Sequence, residues 1–135
     1  MGDGIMADTM VIQQKIEDMI DYSENQIMQF PKIYRFTLGE RMLETMYQEA
    51  ELAETANRKY FQKTTLQDLD IKNATLQMLV RRGHRSKYKD RNGTTKTVIS
   101  DHHYEVWSEK LSEIGRMIGG WIKSQQKDKK EAPSE

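Results

Sequence analysis

The sequence predicts an all-α protein, an antiparallel up-down-up-down four-helix bundle. Three observations carry that prediction. Only two prolines, Pro31 and Pro133, interrupt the 135 residues. Four stretches of about twenty residues repeat apolar side chains every three or four positions, which is the period of one helix face. Charged residues make up 31% and apolar residues 36%, the balance of helices with one buried stripe and charged outer faces. Four such helices joined by short connections pack most economically as antiparallel neighbours.

The first helix is expected from about Met10 to Phe30, with a stripe of Ile12, Ile16, Met19 with Ile20, Ser23, Ile27 and Phe30. Pro31 closes it, because the residue before proline is pushed out of the α region. The second opens at Thr37, where Glu40 three residues on completes a Thr-x-x-Glu capping box. Its expected stripe is Leu43, Met46 with Tyr47, Ala50, Ala53, Asn57 and Tyr60 with Phe61. The third starts near Thr65, with Asp68 favouring the positive helix start. Leu66, Leu69, Asn73, Leu76, Leu79 with Val80 and Gly83 form its stripe, and Ile71 and Met78 lie off it. Residues 90–100 read as a loop around an Asn92-Gly93 turn. The fourth helix follows Ser100 and Asp101, which read as caps, and its stripe is Trp107, Leu111, Ile114, Ile118 and Trp121. The organisation expected is a disordered N-terminus over 1–9, the bundle over 10–125 and a charged flexible tail over 126–135.

Composition narrows the function. With no cysteine there is no disulfide framework and no thiolate metal site. No apolar run approaches the ~20 residues of a membrane-spanning helix, and the start, "MGDGIMADTM", lacks the basic segment and apolar core of a secretion signal. A cytoplasmic protein without membrane partners is expected. Net charge is zero but unevenly spread: residues 1–60 carry a net of −5, and residues 81–96 carry seven cations against one acid.

That cationic segment, "RRGHRSKYKDRNGTTK", supplies Arg81, Arg82, Arg85, Lys87, Lys89, Arg91 and Lys96, with His84 and Tyr88 interleaved. Arg81 and Arg85 share a helix face, as do Arg85 and Lys89, and like charges at that spacing repel. A polyanion relieves the repulsion; guanidinium groups suit phosphate, and Tyr88 could stack on an exposed base. Cations ending a helix also complement its dipole, so a merely solvated face stands beside phosphate binding as a reading. A subunit assembly would repeat the patch and bind through avidity.

"EIGRMIGGWIKS", residues 113–124, places Gly115, Gly119 and Gly120 inside a helix period that Trp121 and Ile122 continue. Each interior glycine costs roughly 1 kcal/mol against alanine. Gly115 and Gly119, four apart, would let a neighbouring helix backbone come close. With Ile71 and Met78 off-stripe, this predicts surface for a homo-oligomer. Catalytic chemistry has little support. No Glu-x-x-His pair suits a di-metal bundle, the adjacent histidines of "SDHHYE" (100–105) diverge at a helix start, and no glycine loop is followed by the Lys-Ser/Thr of a P-loop. A binding protein without metal or cofactor is expected.

"RFTLGERMLE" (35–44) and "EIGRMIGGWIKS" resemble the accessory variability determinant (Avd) of diversity-generating retroelements, and are similar to the sister bundles encoded within intervening sequences of ribosomal RNA genes. The likeness covers about residues 10 to 125. It implies a bundle assembling as a barrel-like homopentamer, a non-catalytic accessory subunit that binds a reverse transcriptase and its template RNA. The positive surface it implies falls on Arg81, Arg82, Arg85, Lys87 and Lys89, and its terminal helix motif on Gly115, Arg116, Gly119, Gly120 and Trp121, which is assigned to packing. The sister family implies instead a structural or protein-interaction bundle with no nucleic-acid role.

Overall fold

A computed structural model describes residues 2–58 and 63–131, with side chains described for 10–58 and 63–126. Helix α1 spans Gly2–Ile27, α2 is a single turn over Lys32–Tyr34, α3 spans Glu40–Arg58, α4 Lys63–Arg85 and α5 Asp101–Glu131. A five-residue π-helical segment, Arg35–Gly39, joins α2 to α3. Strands β1 (Lys87–Lys89) and β2 (Thr95–Thr97) form a small hairpin between α4 and α5. Gly119 and Gly120 do not stop α5, which runs through both. The side chains of 1–9 and 127–135, and residues 59–62 with Tyr60 and Phe61 of the expected α3 stripe, lie outside the described residues. Among the described residues, no helix is long and apolar enough to cross a membrane.

The helices form a ring in which α1 packs on α3 and α5, and α4 packs on α3 and α5. Cross-helix bonds fix their directions. Asn57 Nδ2 donates to Gln13 Oε1 at 2.8 Å and Tyr47 Oη to Glu24 Oε1 at 2.7 Å, so α3 runs against α1. Lys15 pairs with Glu113 and Trp107 Nε1 donates to Ser23 Oγ, so α5 also runs against α1. Asn73 reaches the Leu111 carbonyl and His84 reaches Asp101, so α4 runs against α5. The topology is up-down-up-down. One end of the bundle gathers the C-termini of α1 and α4, the start of α2, the hairpin and the start of α5.

The core lies along the expected stripes of α1, α4 and α5, all of them buried. Ser23, polar on an apolar stripe, is accounted for by bonding: its hydroxyl donates to the Met19 carbonyl at 2.6 Å and accepts from Trp107 Nε1 at 2.8 Å. Tyr22 and Phe30 meet the Trp107 ring edge-on. Such aromatic pairs add about 0.5–1.5 kcal/mol beyond area burial.

Three local expectations are corrected. The second helix turns its Met42, Thr45, Met46, Glu49, Ala53 and Ala56 face inward, while Leu43 and Ala50 sit at the boundary and Tyr47 is exposed. Thr37 does not cap a helix start: the helical path begins at Lys32, and Thr37 Oγ1 donates back to the Ile33 carbonyl at 2.7 Å. Residues 87–97 form a hairpin, not an open loop, with Lys87 opposite Thr97 and Lys89 opposite Thr95.

Candidate nucleic-acid interface

The site is built on the last turn of α4. Val80 and Gly83 face the core, which leaves Arg81, Arg82 and Arg85 exposed on the outer side. The chain then folds back on the helix end. Val98 N donates to the Ser86 carbonyl at 2.8 Å and Ile99 N to the Gly83 carbonyl at 3.0 Å, so helix-end acceptors that would lack partners are satisfied. Gly83 makes this possible: a Cβ there would collide with the buried Ile99 side chain and stand 2.9 Å from Leu38 Cδ2.

In the hairpin, Tyr88 is half-buried against the core. Successive strand residues point to opposite faces, so Lys87 and Lys89 project away from the bundle, and both are exposed. The turn rests on Asp90, whose Oδ1 accepts from the Asn92 and Thr94 amides at 2.9 Å each. Gly93 has φ +77°, the left-handed region that glycine enters at little cost. The Thr94 amide, chiefly, and the ion pair with Lys96 hold the Asp90 carboxyl below its usual range.

Charge compensation is therefore nearly absent. Lys96 Nζ pairs with Asp90 Oδ2 at 3.2 Å, whereas Arg81, Arg82, Arg85, Lys87, Lys89 and Arg91 have no ion-pair partner among the described residues. All seven cations are exposed and lie at one end of the bundle. They do not continue one helix face: α4 ends at Arg85, so Lys89 shares no helical side with it. The fold instead gathers two groups, three arginines on a helix end and lysines on a hairpin.

His84 sits inside this cluster with a structural task. Its Nε2 lies 2.7 Å from Asp101 Oδ1, and its ring stacks on Tyr104 with centroids 4.2 Å apart. The helix cap is Ser100 alone, whose Oγ accepts from the His103 amide at 3.2 Å, and Asp101 serves as the partner of His84. His103 packs edge-on against Tyr22 and Trp107, and burial, then repulsion from His102, depresses its pKa.

The glycine motif divides. Gly115 abuts α4 of the same chain, since a Cβ there would stand 3.1 Å from Asn73 Nδ2. Trp121 is buried in the core, Arg116 is exposed, and the Cβ positions of Gly119 and Gly120 meet open space. The cationic end also carries an apolar feature that its charge pattern does not announce. Met28, Ile33 and Phe36 are 69%, 71% and 61% exposed beside the α1–α2 turn. Apolar residues flanking Pro31, among Lys32 and Arg35, were the available signal.

Fold and site together define a four-helix bundle whose distinctive surface is an uncompensated cationic end. Residues 10–125 match the family model described as bAvd-like, and the chain belongs to the bAvd-like family. That family is one of accessory proteins in which catalysis is not known. Comparison with curated proteins gives no match.

Proposed function

We propose that the chain is a non-catalytic accessory subunit of a diversity-generating retroelement, binding the element's reverse transcriptase and template RNA to support mutagenic cDNA synthesis. Family membership supports the accessory role. The observation that carries the RNA contact is the set of exposed, unpaired cations on the end of α4 and the hairpin. Arg81, Arg82 and Arg85 offer planar forks to phosphate oxygens, while Lys87, Lys89 and Arg91 extend the same field outward.

The chain is proposed to act as a homopentamer in the cytoplasm. Ile71, 60% exposed, and Met78, 39% exposed, support an assembly surface on the outer side of α4, and Gly119 and Gly120 leave room beside α5. Five copies would repeat the cationic end and raise avidity without any new contact. The polymerase would supply the catalysis.

The test is charge reversal of Arg81, Arg82 and Arg85 to Glu. Filter or gel binding of structured RNA should be lost while far-ultraviolet circular dichroism stays at parent helicity. Unchanged binding would remove the nucleic-acid part of the proposal and favour a protein-interaction bundle.

A further inference from the structure

We infer that Phe36, with Ile33 beside it, is a stacking platform for an unpaired base, so that the cationic end takes single-stranded or looped nucleic acid in preference to continuous duplex. This rests on the reading that the same end meets phosphates.

Four observations converge on Phe36. Its ring is 61% exposed, an arrangement that leaves a large apolar surface in water. The π segment fixes it there: Tyr34 and Leu38 on either side pack against the core, and Gly39 is buried, its Cβ position 2.5 Å from Ile27 Cγ2. Wide helical turns of this kind recur at functional sites. The segment also lies at the cationic end of the bundle, because Leu38 packs against the last turn of α4 at Gly83. Residues 28–41 add Lys32, Arg35 and Arg41 against one acid, Glu40.

The other aromatics are less suited. Tyr88, the stacking residue expected from the sequence, is half-buried against the core. Tyr47 is exposed, but its hydroxyl is bonded to Glu24 in a groove between α1 and α3 lined also by Glu17, Asp21, Glu51 and Glu54, a field that repels phosphate. Of the two exposed aromatic residues among the described ones, Tyr47 and Phe36, only Phe36 lies in a stretch where cations outnumber acids. Every base offers a π-face once it leaves a duplex, and aromatic stacking of this type is tolerant of sequence.

The experiment compares the parent with Phe36→Ala, Phe36→Leu and Phe36→Trp, using a 2-aminopurine-labelled RNA hairpin loop and a blunt duplex of equal length. Fluorescence quenching reports stacking, anisotropy reports affinity, and sedimentation velocity reports mass. Phe36→Ala and Phe36→Leu should lower loop affinity roughly tenfold and lose the quench, leaving duplex binding unchanged. Phe36→Trp should retain both affinity and quench. Full loop binding by the leucine variant overturns stacking, as does an equal loss on duplex. A changed mass in Phe36→Ala would make this face a protein contact and likewise overturns it. If charge reversal of Arg81, Arg82 and Arg85 weakens binding while the Phe36 series does nothing, this inference alone fails; if charge reversal does nothing, the phosphate reading fails.

Discussion

Glu49 stands fully buried on α3, and neither carboxyl oxygen has a hydrogen-bond partner among the described residues. Burial pushes its pKa from 4.5 up to about 8. The unfolded chain therefore ionises this group first as pH rises, and the folded chain keeps its proton until about 8. Relative stability is full below the unfolded value, falls as pH climbs between the two values and levels off above the folded one. At pH 7 the loss is of order 3 kcal/mol. Glu49→Gln should raise the melting temperature at pH 7 and leave it nearly unchanged at pH 4; equal gains at both values would show that ionisation is not the cause. The buried amide of Asn73 is half satisfied, its Oδ1 having no hydrogen-bond partner among the described residues. Its Nδ2 donates to the Leu111 carbonyl at 3.0 Å across the α4–α5 seam, directly under Gly115. Gly115→Leu would break that seam and cost on the order of 1–3 kcal/mol by overpacking, readable as a lower urea midpoint. Gly119→Ala, with open space at its Cβ, should gain up to about 1 kcal/mol of helix propensity in a lone bundle. A loss there would place a neighbouring subunit against Gly119.

Among the elements, the stripes of α1, α4 and α5 were legible because nearly every buried position carries an apolar residue at helical spacing. The face of α3 was not. Its inward positions include Thr45 and Glu49, while Leu43 and Tyr47 lie at the boundary or outside, so hydropathy alone rotated the helix by about one position. The π segment left no signature beyond a plausible capping box, since Thr37 and Glu40 stand at cap spacing inside a helical path already under way. The hairpin is hidden by its size: strands of three residues are too short for their alternation to register, and most of their positions are exposed lysines and threonines. The basic segment itself was plain from composition, but its division between helix end and hairpin was not. The joint between those elements predicts a strong local effect. Gly83→Ala brings a methyl onto the fully buried Ile99 and to 2.9 Å from Leu38 Cδ2. Overpacking of about 1–3 kcal/mol should outweigh the helix-propensity gain and lower the melting temperature. A raised melting temperature would mean that the hairpin gives way there.

Across the whole molecule, a net charge of zero hides a division of sign. The hairpin end carries unpaired cations, whereas the groove between α1 and α3 is lined by five carboxylates. Such a field orients a polyanion before contact and excludes it from the acidic face. Binding at the cationic end should release counterions, with affinity falling along a logarithmic salt slope of about 0.7–0.9 per phosphate neutralised. The most direct measurement is RNA affinity of the full chain from about 50 to about 200 mM salt, beside the variant in which Arg81, Arg82 and Arg85 are alanine. The account predicts a steep slope for the parent and one shallower by roughly two to three in the variant, near one per lost phosphate contact. Equal slopes in the two proteins, or parent binding indifferent to salt, would contradict it.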